Sequence, residues 1–540
     1  MTADLSPPEQ HRTSPGVPAG PRPAGPSPAG GAPAARDVGR VLSGLLLAMF
    51  VSNLASTIVA NALPRIVADL GSTQAAYTWV ITAELLAMTA AVPLWGKLAD
   101  LYDKKILIQT ALGLFIAGSL IAGLTQNVEF LIFSRVIQGI GAGGVNALAI
   151  VVLASMVSPR EMGRYAGLFS AVFGAATIVA PLAGGLLVDT SWLGWRWCFF
   201  LGVPLSIIAG VMLQRTMHLP VTRRPVRIDW LGAALIVGGV CTLLIWSTLA
   251  GDKYAWASWQ TAALVSGGVL LLVLAWFVES RAAEPIIPPS IFRNRTVAFA
   301  TLATAVVGVV MFATGVFLSQ YLQISLGKSP TVAGVLSLPL VFGMLAASTV
   351  AGGAIAKSGS WKPYLVAGAV LMTAGMLLFS LIDADTSLWV LGAIMVVAGA
   401  GVGLLIQNLV MVTQNDVPAQ HLGVATATVS FFRSMGGAIG VSALGAVLAN
   451  RVSDLLQERL GAAAAGGGGS TRVPDLSELP PPVLQAVQEA YGTATADLFL
   501  VAAPISLVAV VAVVLIKNKP LQMLNAQQRR AKESAGTPAE

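Results

Sequence analysis

The stretch QGIGAG, residues 138–143, places three glycines two residues apart within a long apolar segment. A second stretch, AGAGVG, residues 398–403, repeats this glycine spacing 260 residues later, and Gly163 and Gly423 are separated by the same interval. A fixed offset of this size indicates an internal duplication. It predicts two halves whose helices run in the same direction through a membrane, with a substrate site near the midplane between them.

The composition is typical of a membrane protein. Of the 540 residues, 55% are hydrophobic and 11% are charged, and the mean hydropathy is +0.77. Soluble globular domains carry about 25% charged residues. The two cysteines, Cys198 and Cys241, lie in apolar stretches, so the sequence indicates neither a disulfide framework nor a metal motif. We expect no metal and no cofactor.

Apolar stretches of about 20 residues are long enough to cross a bilayer as helices. We predict fourteen, beginning near residues 41, 79, 106, 130, 165, 197, 231, 261, 297, 332, 363, 388, 425 and 496. An even number puts both termini on one side. Most of the 32 basic residues fall on that side, and the positive-inside rule therefore makes both termini cytoplasmic. The positive charge is a topology signal and does not indicate nucleic-acid binding.

The predicted organisation is that of an all-α membrane protein. It comprises a disordered cytoplasmic tail (1–36), an N-terminal six-helix bundle (37–215), two extra transmembrane helices with their linkers (216–296), a C-terminal six-helix bundle (297–517) with an external loop near 450–495, and a cytoplasmic tail (518–540). The first tail is rich in Pro, Ala and Gly and cannot bury a core.

Three charged residues stand out within the predicted spans. Glu84 is the one acid that we place inside a span, where a carboxylate is costly and marks a functional site. Arg135 and Arg433 are buried cations that break the repeat, since Met395 and Phe173 occupy the matching positions in the other half. The two halves are therefore predicted to differ chemically.

The fourth span carries a polar stripe at helical spacing, formed by Arg135, Gln138, Ala142 and Asn146. Unpaired polar groups are costly in lipid, so this stripe is expected to line a cavity. The glycines of the same span allow close helix packing, and packing alone is a sufficient explanation for them.

Several motifs resemble the major facilitator superfamily. GKLADLYDKK, residues 96–105, is similar to the loop between its second and third helices, and RVIQGIGAG from Arg135 is similar to its fourth-helix motif. The stretches ASTIVANALPRIVADLG, WRWCFFLGVP, RIDWLGA, FLSQYLQISLGKSPTVAGVLSLP and GVATATVSFFRSMGGAIG resemble fourteen-helix drug:proton antiporters of the QacA/EmrB type. The resemblance implies two six-helix bundles with two additional central helices. It also implies proton-coupled efflux of amphipathic or cationic organic compounds, with multidrug or antibiotic resistance.

The resemblance also implies roles for individual residues. A conformational gate loop would hold the cytoplasmic ends of the two halves together through Gly96, Asp100, Lys104 and Lys105. The fifth helix would bend at Pro181, Gly184 and Gly185, a partial match to the glycine-rich antiporter signature. The cavity is expected to be lined by Asn53, Thr57, Gln138, Asn146, Gln407 and Arg433.

One departure from the family concerns the proton acceptor. The first helix of family members carries an acid in a pattern like LDxTIVxxALP, whereas this chain reads LASTIVANALP and has Ala55 at that position. At 1.5 Å per residue, Ala55 and Glu84 lie at comparable depth, roughly 22 and 18 Å from the same edge. We therefore predict that Glu84 replaces the missing acid as the proton carrier, with Arg135 as its electrostatic partner.

Alternatives remain open at this stage. Glu84 could be permanently protonated and hydrogen-bond between helices, and Arg433 could clamp backbone carbonyls instead of contacting substrate. The scaffold could also serve an uncoupled facilitator or a lipid or metabolite exporter. An ATP-driven pump is excluded because GKS at Gly327 lacks the first glycine of a phosphate loop. An enzyme is not expected, since converging catalytic side chains are missing.

The expected partners are a small-molecule substrate, protons and the lipid bilayer, and the chain is expected to act as a monomer. The expected location is the plasma membrane of a bacterium, because an Ala/Gly/Pro-rich composition is typical of GC-rich bacterial genomes.

Overall fold

The structure is a computed structural model. It describes residues 35–70, 74–189, 194–217, 229–250, 253–255, 257–282, 285–328, 330–460, 480–524 and 528–529. Residues 1–34 of the predicted disordered tail, the low-complexity part of the external loop and the end of the C-terminal tail lie outside these residues. The described residues form helices and turns, with an isolated bridge between Ala250 and Tyr254.

Seventeen α-helices are described. In chain order they are α1 (Ala35–Asp69), α2 (Gln74–Leu101), α3 (Lys104–Leu124), α4 (Val128–Met156), α5 (Pro159–Asp189), α6 (Trp197–Phe200), α7 (Gly202–Thr216), α8 (Trp230–Leu249), α9 (Trp259–Arg281), α10 (Pro289–Arg293), α11 (Arg295–Gln320), α12 (Pro330–Leu336), α13 (Leu338–Ser358), α14 (Lys362–Phe379), α15 (Leu388–Asn415), α16 (Leu422–Leu460) and α17 (Pro481–Leu515). A π-helical turn (Tyr321–Ser325) extends α11, and a 3-10 turn (Ala419–His421) precedes α16.

Thirteen described segments are long and apolar enough to cross a membrane. The remaining predicted span is the fifth, beginning near residue 165, and it coincides with α5, a helix of 31 residues. The all-helical, many-spanning class is thus confirmed. Consecutive spans alternate in direction, so α1 begins and α17 ends at the same end of the bundle, which is here called the terminal face.

The external loop is shorter than the predicted range of 450–495. Helix α16 continues to Leu460 and α17 begins at Pro481. Two ion pairs join these helix extensions: Arg451 Nε lies 2.7 Å from Asp497 Oδ2, and Arg459 pairs with Glu489. These ion pairs hold the ends of the two helices side by side.

The glycine repeat has a structural counterpart in each half. A Cβ atom at Gly139 or Gly143 would collide with the backbone carbonyl of Glu84 or Met88 on α2. In the second half, Gly399 and Gly403 meet the carbonyls of Leu340 and Met344 on α13 in the same way. Because four residues separate the members of each pair, the two contacts are equivalent. Leu340 is therefore the structural counterpart of Glu84.

The two halves meet along two helix pairs, α2 with α16 and α5 with α13. Glycines allow close approach in both, since Gly96 lies against Ala427 and Gly423, and Gly167 lies against Thr349. Helices α8 and α9 pack against each other, and α8 also contacts α2 and α16. The accessory pair therefore sits beside one of the two joints between the halves.

These close contacts predict which glycines are irreplaceable. Gly403→Ala is expected to lower the free energy of unfolding by about 1–3 kcal/mol, because the new methyl group overlaps the Met344 backbone. The matched control is Gly113→Ala on α3, where no atom lies within 4 Å of the added Cβ. Thermal unfolding in detergent is the measurement. A Gly403→Ala protein at least as stable as the parent would contradict the packing described for α15.

Candidate functional site

Glu84 lies on α2 in a buried ion pair. Its Oε2 meets Arg135 Nη2 of α4, and the two side chains are 7% and 1% exposed. Ser56 of α1 donates a hydrogen bond from its hydroxyl to Glu84 Oε1 at 2.6 Å. Each carboxylate oxygen thus accepts a hydrogen bond from a different helix. Since Gly139 lies one turn after Arg135 on α4, its close contact with the Glu84 backbone also brings the two charges together.

The guanidinium of Arg135 has further partners. Its Nη1 donates to Gln138 Oε1 at 2.5 Å, and Gln138 Nε2 donates to Ser119 Oγ of α3 at 2.9 Å. The Val80 carbonyl lies 3.4 Å from Arg135 Nε. Residues Ser56, Glu84, Ser119, Arg135 and Gln138 therefore form one network across four helices, which we call the four-helix polar cluster.

The position of the missing family acid is apolar. Ala55 is buried in a small cluster with Val51, Phe115 and Ala142, so it contacts α3 and α4. The next residue, Ser56, is the one that reaches Glu84. The Glu84 carboxylate therefore lies at the level of Ala55 but meets the neighbouring face of α1. Ser56 was not singled out from the sequence, because its orientation depends on how α1 packs against α2.

Three of the predicted cavity residues form a second polar group. Asn53 Nδ2 donates to Asn146 Oδ1 at 3.3 Å and to the Met49 carbonyl at 2.7 Å. Thr57 donates to the Asn53 carbonyl at 2.9 Å, and Asn146 reaches Ser52 Oγ at 3.4 Å. This group runs along α1 and α4 beside the four-helix polar cluster. The fourth residue, Gln138, belongs to the cluster itself.

The polar residues proposed in the second half are not brought together with Glu84. Gln407 and Arg433 are half-buried on α15 and α16. The Arg433 backbone lies against Gly308 of α11. Its guanidinium makes no hydrogen bond or ion pair with any residue in the described ranges, so the alternative of a clamp on backbone carbonyls has no support there.

The gate loop joins the halves through Asp100. Its two carboxylate oxygens accept hydrogen bonds from the backbone N–H groups of Gly423 and Val424, both at 2.9 Å. These donors belong to the first turn of α16, where a negative charge is stabilised by the helix dipole. The Gly96 backbone touches Gly423 in the same place. The α2–α16 joint is therefore closed at the terminal face.

The turn within the gate loop is closed by Asp103. Its carboxylate caps α3 by accepting a hydrogen bond from Lys105 N–H at 2.8 Å. Its backbone φ is −62°, so no glycine is required there. Lys104 begins α3 and Lys105 follows it.

A second contact at the terminal face was missed by the sequence analysis. Arg160, at the start of α5, donates to the carbonyls of Ala356 and Lys357 at 2.8 and 2.6 Å. These carbonyls end α13, so a cation from one half caps a helix of the other. From the sequence, Arg160 served only as a topology signal. Its pairing depends on which helix of the second half lies opposite.

The predicted bend in the fifth helix stays a prediction. Gly184 is buried in α5, whereas Pro181 and Gly185 are not among the residues whose burial is described.

Glu84 is not the only buried acid in a span, contrary to our expectation. Glu279 lies near the end of α9 and is 3% exposed, and Lys97, next to Gly96, is 4% exposed. Helices α8 and α10 pack against α9, which carries Glu279. Among the described residues, no cluster of His, Cys, Asp or Glu is suited to a metal ion.

One cavity has a volume of about 590 Å³, and its lining includes no residue of the four-helix polar cluster. It is an open groove between α11, α16 and α17, lined almost entirely by apolar side chains such as Phe292, Leu302 and Phe432. These helices are long and apolar enough to cross a membrane, so the helix surfaces around the groove are apolar. Its lining carries no ionisable group, so it supplies none of the chemistry described above.

The Asp100 contacts predict a measurable effect on the gate. Asp100→Ala removes two hydrogen bonds to a charged acceptor, each worth about 1.5–3 kcal/mol. In a Cys198→Ala/Cys241→Ala background, a cysteine introduced by Thr428→Cys, at a fully buried position of α16, is expected to react with a membrane-permeant maleimide at least tenfold faster. The exposed Asp454→Ala change is the control. Equal labelling rates with and without Asp100 would contradict its role in closure.

Comparisons with known proteins support this architecture. The sequence model of the Major Facilitator Superfamily matches residues 45–229 and 215–441. The chain is 36% identical over 420 residues to the multidrug transporter protein MdtP of Bacillus subtilis strain 168, covering 78% of this chain and 77% of that protein. Multidrug resistance protein 3 of the same strain is 31% identical over 482 residues, with coverage of 87% and 93%.

A further relative and a solved structure are also similar to the chain. The efflux pump FUS6 of Gibberella moniliformis is 32% identical over 424 residues, covering 76% of this chain and 74% of its own. The structure of the human organic anion transporter MFSD10 (TETRAN) aligns with a TM-score of 0.55 at 13% identity, covering 87% of this chain and 99% of that one. At that identity the similarity concerns the fold alone. The family match and these relatives together show that the chain belongs to the Major Facilitator Superfamily, within its drug efflux transporters.

Proposed function

We propose that the protein exports amphipathic or cationic organic compounds in exchange for protons, and that Glu84 carries the proton. The observation that carries this proposal is the buried Glu84–Arg135 pair, which lies in the first half only. The matching residues of the second half are Leu340 and Met395. A costly ion pair in one half of a duplicated scaffold supports a functional role, since packing alone does not require it.

The chemistry follows from the partners of the carboxylate. In the structure both oxygens of Glu84 accept hydrogen bonds, from Ser56 and Arg135, which suits the ionised form. Separation of α2 from α4 or α1 would remove these donors and favour binding of a proton instead. A proton taken up from outside would neutralise Glu84, and re-formation of the Arg135 pair would expel it on the inner side.

The membrane potential can drive such an exchange. At about 150 mV, one inward charge is worth roughly 3.5 kcal/mol. That energy corresponds to a substrate gradient of several hundred-fold for one proton exchanged. No nucleotide is needed.

The terminal face supplies the alternating gate in this proposal. Asp100 and Arg160 each hold a helix end of the opposite half. Their release would open the cavity to the cytoplasm, which the Lys/Arg bias of the connecting segments places at this face. Both termini would then be cytoplasmic, in the plasma membrane of a bacterium, with a single chain as the working unit.

Substrate contacts are proposed on both halves of the cavity. Asn53, Thr57 and Asn146 offer hydrogen bonds from the first half, and Gln407 and Arg433 offer polar groups from the second. Opening of the terminal face would expose Glu84 as the acid of a central cavity, which favours cationic or amphipathic molecules. The names of the relatives, multidrug transporter and efflux pump, support export as the direction of transport.

An uncoupled facilitator or a lipid or metabolite exporter is the second candidate. The observation that favours it is Ala55, which leaves the usual acidic position filled by an apolar contact. In that case Glu84 and Arg135 would be a structural joint between α2 and α4.

Transport into energised inverted vesicles separates the two candidates. We expect Glu84→Gln to abolish uphill accumulation of a fluorescent cationic dye while downhill exchange persists, and an uncoupler to abolish accumulation by the parent. The control is Glu129→Gln, an exposed acid in the first turn of α4. Full accumulation by Glu84→Gln would reject the role of Glu84, and parent transport unaffected by the uncoupler would establish the facilitator.

A further inference from the structure

A second group of buried charges lies on the accessory helices. Glu279 of α9 accepts a hydrogen bond from Ile287 N–H to Oε2 at 3.1 Å, and Asp229 caps α8 by accepting from Gly232 N–H to Oδ1 at 2.9 Å. The other oxygens, Glu279 Oε1 and Asp229 Oδ2, are buried and have no hydrogen-bond partner among the described residues. Buried polar groups without partners call for an explanation.

The two unpartnered oxygens share one small space. A Cβ atom built on Gly232 would collide with both Glu279 Oε1 and Asp229 Oδ2. Only a glycine therefore allows the two carboxyl groups to converge here. Two carboxylates in such proximity do not both ionise readily, because their charges repel.

Among the described residues, one buried cation lies near the two acids. Lys97 of α2, itself 4% exposed, lies within electrostatic reach of Glu279. Arg293 of α10 lines the adjacent surface pocket with Glu279 but is solvent-exposed. Glu279 is buried and Asp229 is half-buried, and two such carboxyl groups beside one ammonium are electrically balanced when a single proton is added. In the described part of the chain, no third His, Cys, Asp or Glu joins the pair as a metal ligand.

We propose that Asp229 and Glu279 share one proton and form a second protonation site, separate from Glu84. The site bears on the gate because Lys97 directly follows Gly96, whose backbone meets α16 at the closed joint. Movement of α2 away from α16 shifts Lys97 relative to the carboxyl pair. The second protonation site therefore lies on the two extra helices, beside the joint between α2 and α16.

Infrared spectroscopy of the full-length protein at pH 7, in a maltoside detergent that contains no carbonyl group, tests the site. Every variant is made on a Glu84→Gln background, so the signal is independent of the proton carrier proposed above. We expect the background protein to show the C=O band of a protonated carboxylic acid. Glu279→Gln and Asp229→Asn should each remove it, since either change leaves one carboxylate balanced by Lys97.

Control variants and thermal unfolding separate loss of the proton site from loss of folding. Asparagine remains a good N-cap, so Asp229→Asn preserves the start of α8, and thermal unfolding checks each variant. Asp454→Asn, an exposed acid on α16, should leave the band unchanged, and Lys97→Met should retain it. A band that survives Glu279→Gln, or that is missing from the background protein, would overturn the second site. A band lost in Glu279→Gln but kept in Asp229→Asn would overturn the sharing of the proton.

Discussion

The architecture of the first half depends on a buried ion pair between Glu84 and Arg135. Each charge loses several kcal/mol of hydration when buried, and the surrounding helices offset that cost with specific contacts. Ser56 donates to the acid, and Gln138 accepts from the base and is itself held by Ser119. Removing one charge would leave the other uncompensated, an effect typically worth about 3–5 kcal/mol. The pair and its partners tie four helices to one arrangement.

The two halves share the same backbone packing but carry different side chains at the matching positions. Both halves use glycines at equivalent positions to bring a helix against the carbonyls of its neighbour. Only the first half then uses the space for charges, whereas Leu340 and Met395 fill it in the second. The second half carries its own cation, Arg433, whose guanidinium has no hydrogen-bond or ion-pair partner in the described part of the chain and whose backbone lies against Gly308 of α11. In the proposed function, energy coupling belongs to the first bundle, and the second is free to contribute to substrate binding.

The sequence was sufficient for the features that depend on local pattern. Span length predicted the helices, the glycine offset predicted the duplication, and depth along two helices placed Glu84 at the level of Ala55. Features that depend on which helix faces meet were not predictable. Ser56 rather than Ala55 contacts Glu84 because of the rotation of α1, and Arg160 pairs with the end of α13 in the other half. The ion pairs that join the extended α16 and α17 connect residues 46 and 30 positions apart, and the Glu279 site needs a glycine on another helix.

The central claim is that substrate and proton compete through Glu84. The most direct measurement is the release of protons when a cationic substrate binds to purified protein in weakly buffered detergent solution near neutral pH. The account predicts that the parent exchanges close to one proton per substrate bound and that Glu84→Gln, still folded and able to bind, exchanges none. Substrate binding by the parent without any proton exchange, or unchanged exchange in Glu84→Gln, would contradict it.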